Sequence, residues 1–547
     1  MTKQKQIAYF SMEFAFDDRH RNYAGGLGVL AADIMLSMAA LKTNSVGISL
    51  IYHRSEHPEE IFNPDDHFEK MNQTINLKIE NRNVVFSIYK YQVKVNSEQS
   101  LPVYYLSSLR EENKPWDRDL TKHLYTSNWY TRLCQEYILG VGGVKALEAL
   151  GYHDIDYYHM NEGHAAPLTL ELLRKFDYDE KKVKNHCTFT THTPVQAGHD
   201  YFDYGLVNNT IESVIPWNIK KLATEKSMGM TELALNLSSI SNSVSEKHRD
   251  VCHKMFPWVN FENVTNGIYH PRWTSPNMKK LFDKYLKNWE TKTDNFKNAE
   301  KIPDKELVKA KYNDKKALIK WINQNPSFFG IQNLEKDDLF DDKTLTICFA
   351  RRFVEYKRPD LIFTNLNKLR ELGYKKIQLI FSAHCGKDNT FCHNTKSQIL
   401  HCAKELRGQI KVAVTNDYNL DIAKRLVTGC DLWLNNPIAP MEASGTSGMK
   451  VALNGGLNLS IKDGWWIEGI ERQPESGWGF GTDHNEHYHP QPNLHDAQEL
   501  YDELEKVIIE YYEHHDKWVK RMKKAIMLLS FFNTHRVVKQ YYEKIWK

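Results

Sequence analysis

Apolar runs of strand length alternate with segments of helical periodicity twice along this chain of 547 residues, and that double alternation limits the fold more than any other feature. In the first series "QIAYFSMEF" and "VGISLIYH" read as strands on either side of a helical "LGVLAADIMLSMAALKTN". "VVFSIYKYQVKVN" and "LPVYYLSS" are further strands, and "RLCQEYILGVGGVKALEALGY" is helical. "IDYYHMNEGHAAPLTLELLRKF" then runs strand, turn, helix, and "HCTFTTHTP" is a strand ending in a polar turn. The second series opens at "KTLTICFARRFVEYKRPDLIFTNLNKLRELGY" and continues through "KIQLIFSAHC", a long helix to about Arg407, and "IKVAVTND". It ends with "LDIAKRLVTGCDLWLNNP", "EASGTSGMKVALNGGLNLSI" and "DGWWIEG".

This rhythm belongs to βαβ units and mostly parallel sheets. The expected fold class is α/β, with two Rossmann-like doubly wound domains, 1–265 and 266–547. A charged, helix-prone stretch over 275–340 lies between the series. The tail, 493–547, reads as amphipathic helix, its last helix expected to pack back on the N-terminal domain. Ligands of such sheets bind beyond the carboxyl ends of the strands, so a cleft between the two domains is the expected site.

Composition excludes several classes. The net charge of +3 balances 72 basic against 69 acidic residues without a dense basic block, so no nucleic-acid partner is expected. No apolar run is long enough to span a membrane, and the N-terminus has no secretory core. The eight cysteines are scattered, as free thiols of a reducing cytosol would be, so the expected location is cytoplasmic. One cluster, "AHCGKDNTFCH", offers His384, Cys385, Cys392 and His393 but lacks a tight ligand pair, and no metal is expected there.

Polar and glycine clusters fall at the strand ends. "YAGGLGVLAAD" puts Gly25, Gly26 and Gly28 before a helix, where backbone amides could cradle an anion, although such a turn is more often only a turn. "HMNEGHAA" brings Asn161, Glu162 and His164, and "TFTTHTP" brings His192 and Thr193; helix capping explains several of these residues equally well. "VTNGIYHPRW" adds Asn266 and Trp273. "ARRFVEYKRPD" sets Arg351, Arg352, Lys357 and Arg358 directly after a strand, a better oxyanion site than a solvated face. "NDYNLD" supplies Tyr418 at the next strand end. Lys450 stands among small and apolar residues, where an unpaired ammonium is costly. A lysine amid glycines beside a phosphate cradle suits a Schiff base with pyridoxal 5′-phosphate.

In order, GGLG, NEGHAA, THTP, VTNGI…W, RRFVEYKRP and EASGTSGMK…NGG resemble the motifs of the α-glucan (glycogen, starch, maltodextrin) phosphorylases, from about residue 7 to at least residue 470. The chain is most similar to the compact prokaryotic branch, whose fold is the two-domain GT-B type. The resemblance implies phosphorolysis of α-1,4-glucan by inorganic phosphate, giving α-glucose 1-phosphate with retained configuration. It implies pyridoxal 5′-phosphate on Lys450, working through its 5′-phosphate. Lys450, Lys357, Arg352 and His192 would carry catalysis, with Arg352 and Lys357 on the substrate phosphate. The Gly25 and Gly26 amides, Thr446, Tyr418, Trp273 and Arg351 would serve the cofactor side. Asn266, Glu442, Ser444, Gly445, Tyr356, Glu162 and His164 would line the glucan. A homodimer is implied too.

Some positions depart from the long-form family. Gly-Thr-Ser-Gly-Met-Lys replaces Gly-Thr-Gly-Asn-Met-Lys, and Arg351 stands for a lysine. Val354 stands for a histidine and Asn419 for an arginine, so the resemblance does not carry some phosphate and cofactor contacts over to these two positions. "AYFSMEF" follows so soon after the first residue that the regulatory segment of the animal enzymes has no room, and its control is not expected. Two other readings share parts of this pattern: a nucleotide-sugar-dependent glucan synthase, which would not need Lys450, and a glucan-binding protein without catalysis.

Overall fold

Alternate side chains of β1 (Ile7–Ser11) enter two different cores, because successive residues of a strand point to opposite faces. Ala8 and Phe10 join one cluster, Ile7 and Tyr9 the other, and all five residues are buried. Burial on both faces explains why the strand reads as a continuous apolar run. The computed structural model describes residues 4–19, 22–53, 62–331, 338–386, 389–415, 417–482 and 491–547. They divide into two units. The first comprises residues 1–244, 249–264 and 537–547, and the second residues 245–248 and 265–536.

In the first unit β1 is followed by β2 (Ser45–Leu50), β3 (Glu69–Ile79), β4 (Arg82–Lys94), β5 (Ser100–Ser107), β6 (Tyr157–Asn161) and β7 (Cys187–Thr190). After β8 (Tyr201–Asp203) and β9 (Ser227–Gly229), which form a small antiparallel pair, come β10 (Ile240–Ser243) and β11 (Phe261–Asn263). The large sheet has the order β11-β10-β7-β6-β1-β2-β5-β4-β3. It is parallel from β11 to β5, and β3 and β4 extend it as an antiparallel edge. The sequence pattern overlooks β3. Its "EKMNQTINLKI" is polar on one face, and only Ile75, Leu77 and Ile79 alternate into the core, as an exposed edge strand requires. On the second face the helix Gly26–Ala40 packs with Val537, Val538, Tyr541, Ile545 and Trp546.

The second unit is built on β12 (Leu345–Ala350), β13 (Ile377–Ser382), β14 (Lys411–Val414), β15 (Leu432–Asn435), β16 (Leu457–Ile461) and β17 (Gly477–Phe480). All pairings are parallel, in the order β14-β13-β12-β15-β16-β17. Both units are thus α/β, with large parallel sheets. The helices Pro276–Tyr285 and Asp304–Gln324 fall in the charged stretch before β12. Pro492–Glu513 and His515–Met527 follow β17.

The free-thiol expectation fails at one pair. Cys385, after β13, and Cys392, in the first turn of the helix Thr390–Glu405, form a disulfide. Their Cα atoms are 5.6 Å apart, a bridging distance that spacing alone does not reveal. The other six cysteines are free and buried. Among the described residues no helix is long and apolar enough to cross a membrane.

Candidate active site

The turn after β12 sorts its four cations into different environments. Arg351 is buried; its Nη1 donates to Asn435 Oδ1 at the end of β15, and its Nη2 donates to Glu442 Oε2 at 2.6 Å. Lys357 is buried too, and its Nζ lies 3.4 Å from the same carboxylate oxygen and 5.0 Å from the centre of the Tyr356 ring. Arg358, in a left-handed conformation, donates to the carbonyls of Asn436 and Pro437 and pairs with Asp496 at 2.7 Å, so it braces the turn. Arg352 is exposed.

Charge follows from this packing. Burial, and then repulsion by Arg351, lower Lys357 to about 7, although Glu442 pulls the other way. Burial pushes the Glu442 carboxyl up, but Arg351 and Lys357 outweigh it and hold the group at about 2. Glu442 is therefore a permanent anion between two cations, one of which titrates near neutrality. Burial raises Tyr356 and Tyr418 to about 12 while Arg351 pulls both down, and the two phenols stay neutral.

Lys450 sits on the short helix Ser447–Leu453, which Thr446 precedes. It is buried, with Nζ 4.0 Å from the centre of the Trp273 ring, the face of which attracts a cation. Asn454 locks this pair: its Nδ2 donates to the carbonyls of Trp273 and Lys450, both at 2.8 Å, and its Oδ1 accepts the Ser275 amide at 2.8 Å. Asn454 belongs to the "NGG" of the motif, but nothing in spacing alone marks its side chain as the brace. Gly445 precedes the helix at φ +79, in the region that favours glycine. Ser444 Oγ, Asn266 Oδ1 and Arg351 Nε are buried and have no hydrogen-bond partner among the described residues.

The first unit gathers its own set at the carboxyl ends of β1, β6 and β7. Glu162 accepts the His192 amide at 2.7 Å and the Thr193 hydroxyl at 2.9 Å through one carboxylate oxygen. His192 Nε2 lies 2.7 Å from Asn161 Oδ1, and Asn161 Nδ2 donates to Ser11 Oγ at 3.1 Å. Since Asn161 presents its oxygen, the histidine is protonated at Nε2. The Gly25 amide is engaged as well. Glu13 Oε2 accepts from Ala24 N at 2.6 Å and Gly25 N at 3.3 Å, so a carboxylate already lies against the turn at the start of the helix; Gly26 is exposed.

A profile of the carbohydrate phosphorylase family matches residues 206–508, more than half of the chain. A maltodextrin phosphorylase of Thermococcus litoralis is 32% identical over an alignment covering 99% of this chain and 70% of the relative. The chain belongs to the carbohydrate phosphorylase family. A glycogen phosphorylase of Aquifex aeolicus is 29% identical, with 100% of this chain and 86% of the relative covered. An uncharacterized protein of Methanocaldococcus jannaschii is 28% identical over 99% of this chain and 100% of its own.

In this phosphorylase the sequence motifs left one cluster unread. Arg132, on the helix Trp129–Tyr137, reaches Glu136 at 3.1 Å, Asp200 at 2.7 Å and His164 Nε2 at 2.9 Å, and stacks over Tyr125. Glu136, His164 and Asp200 have the mutual spacing of metal ligands, but each bonds the guanidinium. Burial, and then Arg132, lower His164 to about 3, so it is neutral and accepts from Arg132; its Nδ1 is buried without a partner among the described residues. Tyr125 extends the chain of contacts to Glu13 Oε1 at 2.9 Å, and so to the glycine turn. The acidic members are far apart in sequence, which is why no motif reveals them.

Proposed function

We propose that this phosphorylase cleaves α-1,4-glucan with inorganic phosphate, releasing α-glucose 1-phosphate with retained configuration. The observation that carries the reading is the buried Lys450, held over Trp273 by Asn454 at the end of a glycine-rich loop. These residues fit pyridoxal 5′-phosphate: a buried primary amine on an aromatic face, with Tyr418, Thr446 and the Arg351 side of the pocket to hold it. Bound there, the cofactor would supply a second phosphate group that exchanges a proton with the substrate phosphate or acts on it electrostatically.

The remaining chemistry belongs to the chain. Lys357 and the exposed Arg352 bind the substrate phosphate, and Arg351, pinned by Asn435 and Glu442, fixes the positive field behind it. Glu442, Ser444, Gly445 and Asn266 hold sugar hydroxyls; the unpartnered Ser444 Oγ and Asn266 Oδ1 support this role, since buried polar atoms need partners. Glu162 tethers the His192 loop through its amide, and the role proposed for the His192 carbonyl is to face positive charge developing at the anomeric carbon. The orphaned His164 Nδ1 is a further donor for the glucan. No pair of enzyme carboxylates is required, unlike in a glycosidase. Two α/β units, each with a large, mainly parallel sheet, support a GT-B architecture, with the glycine turn in the first and the groups proposed for cofactor and phosphate in the second. Six buried free thiols support a cytoplasmic location.

Borohydride reduction of the purified protein, peptide mapping, and an assay for glucose 1-phosphate from maltodextrin and phosphate test the reading together. A pyridoxyl group on Lys450 with phosphate-dependent product is the expected result. A colourless protein, inert even after added cofactor, would return the synthase or binding-protein readings.

A further inference from the structure

The segment "DGWWIEG", Asp463–Gly469, has no part in the reaction as described, yet it contains a buried carboxylate. We infer that Glu468 is a positioning residue: it joins the distant segments Ser245–Glu246 and Thr265–Asn266 to the helix Trp465–Arg472, and through them fixes the sugar-facing loop Glu442–Gly445. The inference rests on the sugar-binding role proposed above for that loop and for Asn266.

Glu468 is 2% exposed. Its Oε1 accepts the Glu246 amide at 3.0 Å, and the Thr265 hydroxyl lies 3.0 and 2.9 Å from its two oxygens. Both partners are more than 200 residues away in sequence, at separations of 222 and 203. Burial raises the Glu468 carboxyl, so the site is held against a desolvation cost.

Each partner continues into the sugar-facing groups. Ser245, next to the tethered Glu246, donates from Oγ to the Ala443 carbonyl at 2.6 Å. Thr265 precedes Asn266, and Arg536 donates to the carbonyls of both, at 2.5 and 3.1 Å. The start of the helix holds the same loop from the other side. Asp463 accepts the Glu442 amide at 2.8 Å, and Trp465 donates its amide to Ser444 O at 3.0 Å. Gly464, at φ +53, lets this happen: a Cβ there would meet Ser444 O at 2.5 Å. Glu442, Ala443 and Ser444 are thus held at three consecutive positions, and only the middle one depends on Glu468. The orphaned Asn266 Oδ1 lies one residue beyond Thr265, which Glu468 bonds, and the orphaned Ser444 Oγ one residue beyond Ala443, which Ser245 bonds.

Removing the carboxylate would take its acceptor from the Glu246 amide and hold the neighbouring Ser245 less firmly, while Asp463 still held Glu442 beside Lys357. The loss should therefore fall on the glucan and spare phosphate. Glu468→Ala, Glu468→Gln and Ser245→Ala are compared with wild type as holoenzymes, with maltoheptaose and inorganic phosphate varied separately. Glu468→Ala is expected to raise KM for maltoheptaose about tenfold, with KM for phosphate and the cofactor absorbance unchanged within about twofold. Glu468→Gln keeps an acceptor for the amide and can donate to Thr265 Oγ, so it should restore wild-type KM. Should Glu468→Ala fail to fold, Ser245→Ala removes the bond to Ala443, together with the acceptor of the His248 amide at 3.1 Å, and is expected to show the same glucan-selective rise. Unchanged kinetics in both variants, or equal losses for glucan and phosphate that Glu468→Gln shares, would overturn the inference. If wild type itself releases no glucose 1-phosphate, the proposed function fails instead.

Discussion

If Lys357 binds the substrate phosphate as proposed, it and Glu442 make that binding sensitive to pH in one direction. Lys357, lowered to about 7, carries its charge below that pH and loses it above. Because its folded value lies below its unfolded one, folding is penalised at low pH and the penalty lifts as pH rises from about 7 toward the ordinary lysine range. Binding runs the opposite way: KM for phosphate should climb as pH rises through 7. Lys357→Arg, which stays charged, should flatten that limb when KM is measured between pH 6 and 9, the titration of phosphate itself being common to both enzymes. Glu442→Gln leaves Arg351 repulsion unopposed, so the same limb should move to lower pH, with phosphate affinity at pH 7.5 reduced several-fold. A limb that stays put in Glu442→Gln would show that the carboxylate does not set the Lys357 charge. The sequence already brings these residues together in "ARRFVEYKRPD" and "EASG". It gives no sign that Arg358 turns away to Asp496, because that depends on a partner far along the chain.

At the scale of elements, the helix Ser447–Leu453 depends on one side chain beyond its own turn. Asn454 bonds Trp273, Lys450 and Ser275 at once, so Asn454→Ala should leave three buried backbone groups without that partner. Each such group costs about 1–3 kcal/mol, and cofactor retention during gel filtration should fall together with Tm. Full retention at an unchanged Tm would show that the helix holds Lys450 without it. Most strands were legible because burial on both faces leaves apolar runs such as "IAYFS" and "LTICFA". β3 was not, since its outward face is polar and its pairing with β4 is local and antiparallel. The Arg132 cluster escaped for a related reason: its members come from a helix, a strand end and a loop, and no periodicity links them.

For the whole molecule, two measurements address long-range organisation. Thiol titration of the denatured, unreduced protein should count six groups, and eight after reduction, because Cys385 and Cys392 are joined. Eight without reductant would remove the bridge. Trp546 packs in the core of the first unit, and its Nε1 donates to His159 at 3.2 Å. Trp546→Ala should cost about 3–5 kcal/mol and lower the Tm of that unit by several degrees, read by scanning calorimetry. A loss below about 1 kcal/mol would mean that the tail is not part of that core.

That tail also sets the order in which the protein can mature during synthesis. Val537, Tyr541, Ile545 and Trp546 leave the ribosome only after the whole of residues 265–536 has been made, although the sheet they cover is encoded far earlier. At about 5–20 residues per second, the nascent first unit waits on the order of 10–50 s with one apolar face only partly covered. During translation, then, the unit made first is the one finished last.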